Sequence, residues 1–410
     1  MVAHRSWLAR EDQALFLERN HPQRICRVTH SASGSSPPTS LPFSQEELYE
    51  WLRSKHSDVA DVVGIETAAL QGGQSSWELT EVRATCRNHQ GNRHEVSLIL
   101  KARDYMPEWF GRFRHYYTEV LTWRLLLEDG SLPLPQLYAS HHEEGPARRW
   151  LLMEFLHGRD SARGELSPDE YLQAAGLLAR FHGHYWERSG PLSARAPWLY
   201  SWSYADEMES YEEILACMLW AKHVPGWQEF RDRWDPRMRE LMPHVSKLLQ
   251  EMHACPHALC HGDPCGSFIV RDTATGPSQI AFFDLEKAQI GPACHDFTLF
   301  RPQAVHRMCP ASADPDMPSK ALAVYRTTLR ETCGVSVPSA ELRRWVALAE
   351  YSFGARPIAR HLSLKLGLWS SSFGGEEAIG AYVEEIELLL TQYTERVRRI
   401  LSALERTEWQ

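Results

Sequence analysis

Asp263, Asp284 and Glu286 are carboxylates whose surroundings call for a chemical explanation. Asp263 follows Leu259-Cys260-His261-Gly262, and Asp284 and Glu286 close the apolar run Ile280-Ala281-Phe282-Phe283. Short apolar runs joined by a polar turn, Asp272 to Ser278, read as strands. Side chains alternate faces along a strand, so Asp284 and Glu286 are expected to point one way and Leu285 into the core. A carboxylate at the end of a buried strand costs desolvation free energy. That cost is most simply offset if the group holds a cation or takes up a proton. Lys101 poses the same question with opposite sign. It ends Val96-Ser97-Leu98-Ile99-Leu100, where an isolated lysine must reach solvent or find an anion.

The His261-Gly262-Asp263 triplet, the later apolar-apolar-Asp284-Leu285-Glu286 and the closing Gly291-Pro292-Ala293-Cys294-His295-Asp296 occur in that order. Together they resemble the catalytic core of the aminoglycoside phosphotransferase and choline kinase-like families, small-molecule kinases of protein-kinase-like fold. The resemblance runs from Val62 to about residue 300. It implies an α+β, two-lobed fold, with a small antiparallel-sheet N-lobe and a mainly helical C-lobe. It also implies an ATP- and Mg²⁺-dependent transfer of the γ-phosphate to a hydroxyl. Asp263 would orient or deprotonate that hydroxyl, and Asp284 would hold Mg²⁺. Glu286 would be a second carboxylate, since choline kinase-like members carry Asp-x-Glu there. His261 and Asp296 would support the catalytic loop.

The remaining parts follow from the same resemblance. Lys101 would meet the ATP phosphates and pair with Glu119 on the next helix. Backbone groups of Glu154, Phe155 and Leu156 would form the hinge that reads adenine. Gly72, Gly73, Gln74, Ser75 and Ser76 lie between two strand-like runs, where a kinase lays backbone N–H groups over phosphates. A plain hairpin turn has the same composition, and both readings stand. One part departs from the pattern. The family places a metal-binding Asn five residues after the catalytic Asp, and Phe268 stands there. A loop shorter by one residue puts Ser267 in its place, a weaker Mg²⁺ ligand. Either the enzyme relies on Asp284 and Glu286 for its metal, or the chain is a catalytically impaired binding or scaffold protein. The presence of Lys101, Asp263 and Asp284 favours the enzyme.

The elements that must position these groups divide the chain into an extension (1–42), an N-lobe (43–157) and a C-lobe (158–410). The Pro- and Ser-rich Ser31 to Pro42 reads as a linker. Capping boxes at Ser44/Glu47 and Ser167/Glu170 announce helices, the second with Pro168 at its first position. His182 recurs at helical spacing with Leu172, Ala175 and Ala179 and reads as a packed histidine. Helices are expected over Met242–Met252, Ala321–Thr332 and Ala340–Phe353, with a long amphipathic one from Ile379 to Leu404. Acidic residues crowd Asp206 to Glu213, either a solvated helix face or a wall for an amine-bearing substrate. Arg356, Arg360, His361, Lys365 and Trp369 form either a pocket lining or a surface connection.

With 410 residues the chain exceeds one small core, and 43% hydrophobic with 24% charged residues is an ordinary globular balance. A formal net charge of −9 argues against a nucleic-acid or anionic-membrane binder and suits a cationic acceptor. No apolar run is long enough for a membrane span. The charged first residues do not read as a signal peptide, and nine scattered cysteines read as reduced thiols of a cytoplasmic protein. Cys255, His257, Cys260, His261 and Cys265 match no closed zinc spacing. The acceptor would be a small molecule or a peptide Ser/Thr.

Overall fold

The computed structural model describes residues 41–70, 78–103, 115–129, 132, 134–141, 149–160, 166–221, 223, 226–264, 267–271, 279–300, 316–353, 358–359, 362 and 376–405. The Gly72–Ser76 turn and the Arg356 to Trp369 side chains lie outside the described residues, as does most of the N-terminal extension. The architecture is α+β, and the chain forms two compact units.

The larger unit draws on residues 30–201 and 257–339. It opens with helix α1 (Gln45–Lys55), whose Ser44 side chain accepts the Glu47 N–H while Glu47 accepts that of Ser44. A five-stranded antiparallel sheet follows, built from β1 (Val59–Ala69), β2 (Glu78–Asn88), β3 (Arg93–Arg103), β4 (Leu137–His141) and β5 (Arg149–Glu154), in the order β1-β2-β3-β5-β4. Thr80, Val82, Ala84 and Cys86 of β2 are buried while their neighbours are more open, as a half-buried strand requires. Leu48 and Leu52 of α1 pack with Val62, Val82, Leu98, Leu100 and Trp150 in one core. Register places Lys101 of β3 between Leu79 and Leu151. Helix α2 (His115–Asp129) lies between β3 and β4 in the chain.

Beyond β5 come β6 (Arg159–Asp160), α3 (Pro168–His184), α4 (Ser189–Arg195) and β7 (Tyr200–Ser201). The capping box and leading proline of α3 form as its sequence dictates. Three later strands, β8 (His257–Cys260), β9 (Phe268–Arg271) and β10 (Gln279–Phe282), lead to a one-turn 3₁₀ helix, Leu285–Lys287, and then β11 (Gln289–Pro292). They form two three-stranded sheets, β10-β9-β6 and β7-β11-β8. A second 3₁₀ segment, Ala293–Phe300, and helix α7 (Met317–Cys333) complete the unit, with α7 packed on α3.

The smaller unit is helical. It holds α5 (Tyr204–Ala221), α6 (Gln228–His253), most of α8 (Ser339–Ala349) and the 30-residue α9 (Glu376–Glu405). Ile386, Leu390, Tyr393, Val397 and Ile400 give α9 its buried stripe. Helix α6 corrects the expectation of a start at Met242. It begins at Gln228 and runs through Pro236 and Pro243. Each interior proline forgoes a backbone bond at about 3 kcal/mol, but Phe230, Trp234, Met238, Leu241 and Val245 bury one continuous face. No helix among the described residues is long and apolar enough to cross a membrane. Cys86, Cys217, Cys255, Cys260, Cys294 and Cys333 take part in no disulfide.

Candidate active site

Lys101 is carried into the site by β3 and is almost wholly buried. Its Nζ lies 2.8 and 2.7 Å from the two oxygens of Glu119, on α2, and 2.6 Å from Asp284 Oδ1. Burial opposes the ammonium, yet Glu119 and then Asp284 outweigh it and hold Lys101 charged above the usual lysine range. Burial pushes the Glu119 carboxyl up to about 7 against the pull of Lys101. Asp284 is held below the usual carboxylate range, because Lys101 outweighs the burial that would raise it.

The geometry around Asp284 corrects the strand expectation. Strand β10 ends at Phe282, and Asp284 adopts φ 61° and ψ 61°, the left-handed region, to open the 3₁₀ turn. Asp tolerates that conformation better than most residues. Asp284 and Glu286 therefore belong to a tight turn, where strand alternation no longer decides their direction. Leu285 is buried between them, as expected.

Asp296, fully buried, organises the loop that carries Asp263. Its Oδ2 accepts the His261 N–H at 2.5 Å and lies 3.0 Å from His182 Nε2, while Oδ1 accepts the Gly262 N–H at 2.8 Å. His182 Nδ1 lies 2.8 Å from the Tyr325 hydroxyl. With a carboxylate on Nε2, the ring places its proton there and receives the Tyr325 O–H. His182 thus packs beneath the catalytic loop. His261 Nε2 lies 2.9 Å from the Phe283 carbonyl, which ties that loop to the turn bearing Asp284.

Gly262 permits this approach. Its φ is +84°, and a Cβ there would stand 2.0 Å from the Lys287 carbonyl oxygen. Gly262→Ala is therefore expected to cost roughly 2 kcal/mol or more, read as a lower urea midpoint. An unchanged midpoint would refute the close packing of the two loops.

The departure at Ser267 and Phe268 takes definite form. Phe268 is fully buried in β9, its ring centroid 4.7 Å from that of Phe282. Ser267 directly precedes β9 and donates its hydroxyl to the Asp263 carbonyl at 2.7 Å. At the expected hinge, the Glu154 side chain accepts the Gln136 N–H and pairs with Arg271 at 3.0 Å. The Phe155 N–H donates to Ser97 O, so it extends the sheet and does not face a ligand. Leu156 follows, half-buried.

One contact lay outside the sequence reading. Lys287 Nζ lies 2.5 Å from Asp263 Oδ2. Burial opposes this ammonium too, but Asp263 and then Glu286 and Asp284 raise its pKa. A lysine three residues after a turn aspartate was the available signal. The His182, Cys260 and Asp296 ligand atoms also gather within 4.8 Å. Burial and Asp296 push the Cys260 thiol well up, and it donates to the Gly291 and Pro292 carbonyls, so it acts as a neutral hydrogen-bond donor.

Residues 104–310, half of the chain, match the model of the phosphotransferase enzyme family known as APH. The chain belongs to that family. No curated protein matches this phosphotransferase in sequence. Among solved structures it is similar to spectinomycin phosphotransferase in complex with ADP and spectinomycin, at 13% identity and TM-score 0.44 over 85% of this chain and 99% of that one. It is also similar to a Plasmodium vivax ethanolamine kinase, at 12% identity and TM-score 0.43 over 96% and 99% of the two chains. A microcompartment-associated aminopropanol kinase follows at 16% identity and TM-score 0.41, over 86% and 97%. In the phosphotransferase described here, the family match spans Glu119, Glu154, Asp263, Asp284 and Asp296 and begins just after Lys101.

Proposed function

We propose that the chain transfers the γ-phosphate of ATP, with Mg²⁺, to the hydroxyl of a small molecule of the aminoglycoside or choline-like kind. The observation that supports this most is the buried Lys101 held between Glu119 and Asp284. Phosphoryl transfer asks a protein chiefly for positioning and charge, and these residues supply both. The donor set fits the cation: Asp284 and Glu286 offer hard carboxylate oxygens from one tight turn. When bound, MgATP supplies the transferable group and the positive charge that draws electron density from it.

The chain's own residues have these roles in the proposal. Lys101 directs its N–H groups at phosphate oxygens, held there by Glu119. Asp284 and Glu286 hold the cation, with Ser267 able to add only a weak hydroxyl oxygen. Asp263 aligns the acceptor O–H and takes its proton. The Glu154 carbonyl and the Leu156 N–H read the adenine edge, and the Gly72–Ser76 turn covers the phosphates. The sheet-bearing lobe is 43–157, the helical lobe 158–410, and the site of action the cytoplasm. An acidic protein of net charge −9 suits an amine-bearing alcohol better than an anionic one.

Thermal unfolding of the full chain with millimolar ATP, with and without Mg²⁺, tests the reading. A ligand at a hundred times its Kd stabilises by about 2.7 kcal/mol, so a Mg²⁺-dependent rise of a few degrees in Tm is expected. No rise would favour a scaffold protein built on this fold.

A further inference from the structure

The backbone brings Lys287 to Asp263 independently of their ion pair. The turn Leu285–Lys287 is seated so closely on the catalytic loop that no side chain fits at Gly262. The Phe283 N–H donates to Ser267 O at 3.1 Å, and His261 reaches the Phe283 carbonyl. These bonds fix where the Lys287 main chain stands relative to Asp263. Its side chain is half exposed, with Nζ 2.5 Å from Asp263 Oδ2. An ammonium has three N–H donors, so contact with Asp263 leaves others to offer.

Among its described residues the catalytic loop is poor in ligands for a second divalent cation beside Asp263. Phe268 is in the core, and the Ser267 hydroxyl proton is committed to the Asp263 carbonyl. A neutral hydroxyl is a weak ligand for a hard cation, and an ammonium on Asp263 repels one. We propose that Lys287 is a positioning residue of the transfer site, holding the Asp263 carboxylate and standing in for a second metal ion. The chain then binds one divalent cation per nucleotide. This inference rests on the phosphotransfer reading above.

The test uses the full chain, Mn²⁺ and a non-hydrolysable imido analogue of ATP, with bound Mn²⁺ counted by electron paramagnetic resonance. One ion per bound analogue is expected, and two would overturn the inference. Alongside it, ATP hydrolysis with water as acceptor is measured for Lys287→Met and Lys287→Arg. A loss of about 100-fold in kcat is expected for Lys287→Met, with the analogue's Kd within about threefold and most of kcat regained in Lys287→Arg. Unchanged kcat in Lys287→Met, or a parallel loss of analogue binding, would overturn the positioning role alone. Failure of the wild-type chain to bind analogue and metal at all would overturn the phosphotransfer reading, and this inference with it.

Discussion

Asp263→Asn is expected to lower the turnover of ATP by about 10³-fold or more while leaving Mg²⁺-dependent nucleotide binding in place. Asn has the size and shape of Asp, so the loop need not move. The backbone here is held from elsewhere: Asp296 accepts the neighbouring N–H groups of His261 and Gly262, and Ser267 donates to the Asp263 carbonyl. What changes is chemistry at one atom. An amide accepts no proton from the attacking hydroxyl, and a positioned general base is worth about 10²–10⁴ in rate. Loss of the carboxylate also frees Lys287. Lys101, Glu119 and Asp284, by contrast, keep one another in place without Asp263. The measurement pairs initial rates of ADP formation with the nucleotide-induced Tm shift. Turnover within about tenfold of wild type would remove Asp263 from the chemistry. Loss of the Tm shift would mean that it serves nucleotide binding instead.

Features dictated by local rules were legible in the sequence. Ser44 with Glu47 and Ser167 with Glu170 cap their helices because each pair satisfies orphan N–H groups within four residues, whatever packs outside. The stripe from Ile386 to Ile400 was legible because its period of three and four residues admits one element. Where tertiary contacts decide, the pattern misleads. The expected helix starts at Met242, yet the buried face from Phe230 to Val245 carries α6 back through Pro243 and Pro236 to Gln228. Ile280 to Phe283 read as a strand that carries on through Glu286, but a left-handed turn begins at Asp284. Only the close contact of Gly262 with the Lys287 backbone brings that lysine to Asp263, and contact between segments 24 residues apart leaves no periodic trace. At Glu154 to Leu156, where the resemblance implies a hinge, sheet pairing takes the Phe155 N–H.

Asp296→Asn is expected to destabilise the fold by about 3 kcal/mol at neutral pH. The carboxylate is fully buried and accepts from His261, Gly262 and His182 together. An amide oxygen can keep part of this set, but its NH₂ faces a donor that has lost its acceptor. The pH dependence separates this cause from simple loss of packing. Burial would raise the Asp296 carboxyl, but the hydrogen bond from His182, then His261 and the Gly262 N–H, hold it below the usual range. Cys260 also faces this carboxylate, as a neutral thiol. A carboxyl with a depressed folded-state pKa binds its proton more weakly folded than unfolded. Its stabilisation is complete above the unfolded value of about 3.9 and is lost as pH falls from there through the folded value. Urea midpoints of wild type and variant should differ most at neutral pH and converge as pH falls below about 4. A gap that stayed constant from neutral to acid pH would show that shape, not charge, is what Asp296 supplies to the catalytic loop.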